Sequence, residues 1–194
     1  MVFPGHIGGG YIVARGVLHF LHPDISSFQI NELLVLGALA GDFPDIDVAI
    51  FYIQRFVGPK KNRAHSHAQE KEGHRDYVTH TPLFWLCVAG GVMLIGLIAG
   101  STFIEMGGLM ILGGAWTHLL LDSIEYGVKW LWPLSQKRFA IREKGIDLSP
   151  IDAPKGSIRA IIQFLLRCYW KSLTIWAELA VTLIALYMFL HAMR

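Results

Sequence analysis

From Pro82 to Phe103 the chain runs without a single charged side chain. A segment of that length matches the roughly 20 mostly apolar residues needed to cross a bilayer's hydrocarbon core. Inside hydrocarbon no water is available for the peptide groups, so such a segment has to satisfy its own N–H and C=O groups as a helix. Met106 to Leu121 follows after a very short link, which predicts a helical hairpin. A third span is expected from Leu173 to Met193, where only Glu178 and His191 interrupt the apolar pattern. Composition agrees. Only 16% of residues are charged, and the 20 glycines added to the 53% hydrophobic residues give an apolar share of about 63%, against roughly 45–50% in soluble domains. A disordered chain, a basic nucleic-acid-coating protein and a soluble enzyme are thereby set aside.

The remaining apolar stretches are less regular. Asn31 to Phe56 is broken in its middle by Asp42, Pro44, Asp45 and Asp47, and His6 to Leu21 is a shorter apolar helix with a glycine-rich start, which need not cross the bilayer fully. Ser157 to Ser172 has helical periodicity and carries Arg159, Arg167 and Lys171, as expected of an amphipathic helix entering the last span. The expected architecture is an all-α polytopic membrane bundle, one domain over 1–194. It has a broken helix at Pro44-Asp45-Ile46-Asp47, a small cytoplasmic segment at 125–156, and the amphipathic helix plus last span at 157–193. Arg138 to Leu148 reads as a small hairpin turning near Lys144-Gly145.

Lysine and arginine set the orientation. They are concentrated in 55–77 and from Lys129 to Lys171, while the hairpin link has none. Both basic segments are therefore expected in the cytoplasm, with the hairpin tip facing outward. The N-terminus lacks the features of a removable signal peptide. The net charge of +2 implies no acidic partner, and no nucleic acid is expected to bind. Cys87 and Cys168 form no metal or disulfide motif and read as two buried small hydrophobes.

Against this apolar background, ionisable residues beside the spans stand out, because at such depth they are expensive and tend to be paired or functional. His118 and Asp122 are four apart, on one helical face, so they can take the same cation or two adjacent ones, although a self-satisfied His–Asp pair explains them as well. Asp42, Asp45 and Asp47 surround Pro44. If the chain is extended there, Asp45 and Asp47 point the same way and repel each other unless a cation or proton intervenes; helix capping accounts for one of the three. His74-Arg75 and Thr79-His80-Thr81 precede Pro82, which fits a first helical position with Thr81 as the cap; here surface histidines are the plainer reading. His6 is isolated before Gly8-Gly9-Gly10. His19 and His22 read as a solvent-side helix end, and His191 belongs at the opposite end of the last span. Together the clusters match a site for two or three divalent cations. The nitrogen and oxygen donors suit Zn, Mn, Mg or Fe and do not choose among them. No HExxH, GxSxG, Walker A or GxGxxG motif offers a rival chemistry.

His6, Pro44-Asp45-Ile46-Asp47, His74-Arg75, Thr79-His80-Thr81, and His118-xxx-Asp122 with Tyr126-Gly127-Val128 and Trp132-Pro133 occur in that order. In this combination the chain resembles the YdjM-like family of membrane-bound metal-dependent hydrolases. That family is distantly similar to zinc-dependent phospholipase C and the P1-type nucleases. The resemblance implies that His6, Asp45, Asp47, His74, His80, His118 and Asp122 are metal ligands, Zn first among the cations, in a bacterial or archaeal inner membrane. Asp42 has no counterpart in the family pattern. The function expected is hydrolysis of a phosphoester, most readily in a phospholipid, at the cytoplasmic face, with Asp45 or Asp122 holding the attacking water and Arg75 clamping phosphate. The alternative is a non-enzymatic divalent-cation transporter or metal-stabilised scaffold, for which polar ligands near the bilayer midplane would be expected. An intramembrane peptidase is a third reading, without a motif to support it.

Overall fold

The computed structural model describes residues 4–46, 77–142 and 158–192. It is all-helical. The elements are α1 (Pro4–Leu21), α2 (Ser27–Ala40), α3 (Pro82–Ala99), α4 (Thr102–Asp122), a short α5 (Ile158–Gln163) and α6 (Leu173–Ala192). Three of these, α3, α4 and α6, are long and apolar enough to cross a membrane. α3 and α6 bury little of themselves against the protein, and Leu94, Ile95, Leu97 and Ile98 on α3 and Leu183, Ile184 and Leu186 on α6 all point outward, whereas α4 is the most buried of the three. An apolar outer surface of this kind belongs in lipid.

Local signals explain the helix ends. Ser26 and Gln29 form a reciprocal cap at the start of α2, the Ser26 hydroxyl accepting the Gln29 N–H and the Gln29 carbonyl oxygen accepting the Ser26 N–H. Pro82 opens α3 in the first turn, where its missing N–H costs nothing. Gly100, at φ 61°, ends α3 in the left-handed conformation that glycine adopts without a Cβ clash, and Ser101 caps α4. The hairpin is thus as expected, with α4 beginning at Thr102 rather than Met106.

The glycine-rich start of α1 decides how the bundle closes. A Cβ on Gly5 would meet Glu178 of α6, one on Gly9 would meet Thr117 of α4, and one on Gly10 would run into the Gly37 carbonyl of α2. Three helices therefore approach α1 more closely than any side chain at these positions would permit, the usual use of small residues at helix contacts in membranes. The same contacts give the directions. His6 and Gly10 lie against Gly41 and Gly37, and Gly9 and Val13 against Thr117 and Gly113, so α1 runs antiparallel to α2 and α4; Gly5 and Gly8 lie against Glu178 and Ala185, so it runs parallel to α6. The starts of α1, α3 and α6 and the ends of α2 and α4 consequently meet at one end of the bundle. At the other end Ala14, Leu18, Leu33 and Met110 form an apolar core.

Several expectations need correction. Asp45 is not on an extended segment: α2 stops at Ala40 and Phe43–Asp45 form a single 3-10 turn, because Pro44 suits the first turn of a tight helix. α2 ends before this motif, and the chain beyond Ile46 lies outside the described residues. Ser157 to Ser172 is not one amphipathic helix; α5 ends at Gln163 and passes through a wider π turn (Phe164–Cys168) and a 3-10 turn (Tyr169–Lys171). Cys168 is buried but Cys87 is exposed, on the outward face of α3. His19 and His22 are both exposed, and the His191 ring stacks on Tyr187. The turn expected at Lys144-Gly145 lies outside the described residues, and Phe139 pairs with Val128 in an isolated antiparallel bridge.

Candidate metal centre

Four elements carry the donors. His118 and Asp122 lie one turn apart at the end of α4, both wholly buried. Asp45 arrives on the 3-10 turn after α2, and His80 on a second 3-10 turn, Val78–His80, just before α3. That second turn is held from both sides. The Trp85 indole donates to the Thr79 carbonyl at 2.7 Å, and the Thr81 hydroxyl, which does not cap α3 as expected, donates to the Val78 carbonyl at 2.7 Å. The Trp116 indole donates to the Pro82 carbonyl at 3.2 Å and ties the same corner to α4. His6 comes from the first turns of α1 and is 1% exposed.

The donors form a closed ring. His80 Nε2 lies 3.3 Å from Asp122 Oδ2 and 3.9 Å from Asp45 Oδ1. His118 Nε2 lies 3.5 Å from Asp45 Oδ1 and 3.9 Å from Asp122 Oδ2. Ligand atoms about 2.0–2.2 Å from a common ion stand about 3–4 Å from one another, so these four edges have the dimensions of a coordination shell. His6 adds a third group with His118 and Asp122, its ring stacked on His118 at a centroid distance of 4.0 Å.

Polar satisfaction points the same way. His118 Nδ1 is 2.7 Å from the Gly41 carbonyl oxygen, which makes Nδ1 the proton-bearing nitrogen and leaves the Nε2 lone pair facing the carboxylates. Among the described residues, His118 Nε2, Asp45 Oδ1 and both ring nitrogens of His6 are buried without a hydrogen-bond partner. Buried polar atoms are seldom left so, and His118, Asp45 and His6 each offer a donor atom to a set close enough to hold a cation. Burial alone would push the Asp45 carboxyl up, but the His118 imidazole at 3.5 Å, with His80 behind it, overcomes this and holds the group at about 2. Asp42 is pushed up to about 6, chiefly by burial; His118 draws it down and Asp45 raises it.

The end of α4 is braced by the Tyr126-Gly127-Val128 stretch. The Tyr126 and Gly127 N–H groups both donate to the Asp122 carbonyl, and Gly127 takes φ 83°, a conformation open to glycine. Glu125, buried alongside, accepts from the Leu173 and Thr174 N–H groups and the Thr174 hydroxyl, and pairs with Arg142 at 3.1 Å. It anchors the start of α6 to the end of α4. Burial opposes the charge on Glu125, but these hydrogen bonds and Arg142 prevail and bring its carboxyl below the ordinary range.

A family model described as YdjM inner membrane protein matches residues 1–194, the whole length of the chain. The chain belongs to this family. Comparison with curated proteins and with solved structures finds no match. For this YdjM-family member the structure brings together five of the seven ligands implied by the sequence, His6, Asp45, His80, His118 and Asp122; Asp47, His74 and Arg75 lie outside the described residues. Sequence reasoning missed two participants. The Gly41 carbonyl, as a main-chain atom, leaves no mark in a sequence. Glu178, 4% exposed and 3.9 Å from His6 Nε2, did leave one, as a lone carboxylate within a membrane span.

Proposed function

We propose that this YdjM-family chain is a membrane-bound metal-dependent hydrolase that cleaves a phosphoester, most readily in a lipid, at the cytoplasmic face of the membrane. The observation that carries the reading is the buried ring of His80, His118, Asp45 and Asp122, with His6 beside it. His118 offers only Nε2, since Nδ1 is engaged by Gly41, so it serves one cation, with His80 and Asp45 as its neighbours, which leaves a coordination position for water. A second cation would draw on His6, a carboxylate bridge, and Asp47 and His74. Divalent cations, Zn first and Mn or Mg next, supply a lowered pKa for water and positive charge for the phosphoryl oxygens.

The two aspartates considered as base differ in access. The Asp45 side chain is 20% exposed and the Asp122 side chain is fully enclosed. Asp45 is therefore the group to hold and deprotonate the attacking water, while the enclosed Asp122 serves as a ligand beside His80 and His118. Ile46, Val78 and Leu83, next to Asp45 and His80 in the chain, are exposed apolar residues, which favours a substrate approaching from lipid. Arg75 remains the proposed phosphate clamp. The basic segments leave the bundle at the site end, which supports a cytoplasmic orientation. All five described ligands sit at that one end, which weighs against a transport path through the membrane.

The test is metal content and phosphodiesterase activity of detergent-purified protein against short-chain phospholipids. Bound divalent cation and chelator-sensitive hydrolysis, both lost in a His118→Ala/Asp122→Ala variant, are expected. Hydrolysis that survives chelation or this double substitution would overturn the mechanism.

A further inference from the structure

Glu178 is an ionisable residue within an otherwise apolar membrane span, and it is 4% exposed. A carboxylate in that position is costly and calls for a partner. The packing of α6 on α1 provides one. Gly5 has no Cβ; a methyl group there would sit 2.6 Å from the Glu178 Cγ, so glycine is what allows the side chain to pass over α1 toward the next residue, His6. Gly8 repeats the close approach one turn on, against Ala185 and the Thr182 backbone, which fixes the register. The outcome is Glu178 Oε1 at 3.9 Å from His6 Nε2.

We infer that Glu178 is the positioning residue for His6. It accepts the Nε2 proton and thereby leaves the Nδ1 lone pair for a cation at the centre that His118 and Asp122 line. This rests on the metal centre proposed above and extends it by one residue on α6. A histidine ligand in a protein metal site nearly always gives its other N–H to a carboxylate, a carbonyl or water, which fixes ring orientation and tautomer. His118 already has such a partner in the Gly41 carbonyl. For His6 neither ring nitrogen has a hydrogen-bond partner among the described residues, and Glu178 is the carboxylate at Nε2. The separation exceeds a hydrogen bond by about 1 Å.

Cobalt(II) titration of the full chain in detergent tests the inference, read through visible d–d absorption and affinity, on wild type, Glu178→Gln, Glu178→Ala, His6→Ala and His6→Ala/Glu178→Gln. Loss of an outer-shell partner weakens metal binding about 10–100-fold, and that range is expected for Glu178→Ala, with a smaller loss and an altered spectrum for Glu178→Gln. Once His6 is gone, Glu178→Gln should have no further effect, because a residue acting through another loses its influence with it. Glu178→Gln is nearly isosteric, so the comparison survives even if Glu178→Ala does not fold. Affinity and spectrum unchanged in Glu178→Gln, or the same loss with and without His6, would overturn the inference and leave the metal centre standing. Wild-type protein that takes up no cobalt would overturn the metal centre and this inference together.

Discussion

Replacing Asp122 by Asn separates a metal ligand from a structural hydrogen-bond partner. The substitution keeps shape and a carbonyl oxygen for His80, 3.3 Å from Oδ2, but removes the negative charge from a side chain with no exposure. Suppose metal is supplied at 100 times its dissociation constant. Binding then stabilises the wild type by about 2.7 kcal/mol. For a chain of 150–250 residues this is a midpoint shift of about 5–11 °C. Outer-shell changes alone weaken binding about 10–100-fold, so losing a ligand should cost at least about 100-fold. The same metal then stands near one dissociation constant, and the stabilisation falls to about 0.4 kcal/mol. The expected shift of the variant is about 1–2 °C. In chelator the order should close or reverse, since the variant no longer holds two carboxylates, Asp45 and Asp122, on the same pair of imidazoles. Thermal unfolding followed by tryptophan fluorescence is a suitable assay, because Trp85 and Trp116 are bonded to the corner that carries His80. A variant that keeps the full metal-dependent shift, or a wild type that has none, would refute the reasoning. A large loss of stability in chelator would assign Asp122 a structural role.

Three further outcomes follow from the packing. Gly41→Ala pushes a methyl group into the His6 carbonyl and disturbs the carbonyl that holds His118, so it should cost about 1–3 kcal/mol and lower metal affinity, measured by unfolding and titration. Leu33→Ala, in the core at the far end, should cost about 2–5 kcal/mol in chemical unfolding yet leave metal content intact, which checks that the two ends are separable. Glu125→Gln weakens the anchor between α4 and α6 and should cost about 1.5–3 kcal/mol near neutral pH. The Glu125 carboxyl is held below its ordinary 4.5, so its contribution is full above that pH and is lost as the pH falls through the folded-state value. The gap between wild type and variant should therefore narrow in acid; a gap independent of pH would mean the charge is not what anchors α6.

Much of the fold was legible because a membrane helix is a local decision. An uncharged run such as Pro82 to Phe103 has to close its own hydrogen bonds wherever it sits, and the glycine at 100 and the proline at 82 mark its ends without help from the rest of the chain. The ligands were legible for a related reason. In so apolar a chain a histidine or aspartate beside a span is costly, and His6, Asp45, His80, His118 and Asp122 stood out before any geometry was known. Which of them meet was a different matter. Residues 6, 45, 80 and 118 are far apart in the chain, and they converge because Gly5, Gly9 and Gly10 let three helices close on α1, a property of facing surfaces rather than of any one segment. The 3-10 geometry at Asp45, the outward direction of Cys87, the Gly41 carbonyl behind His118 and the approach of Glu178 to His6 were likewise decided by packing between distant elements. The sequence alone determined where the helices run and which side chains carry the chemistry. The tertiary structure decided which of those side chains share a site, because close contact between helices depends on which surfaces meet.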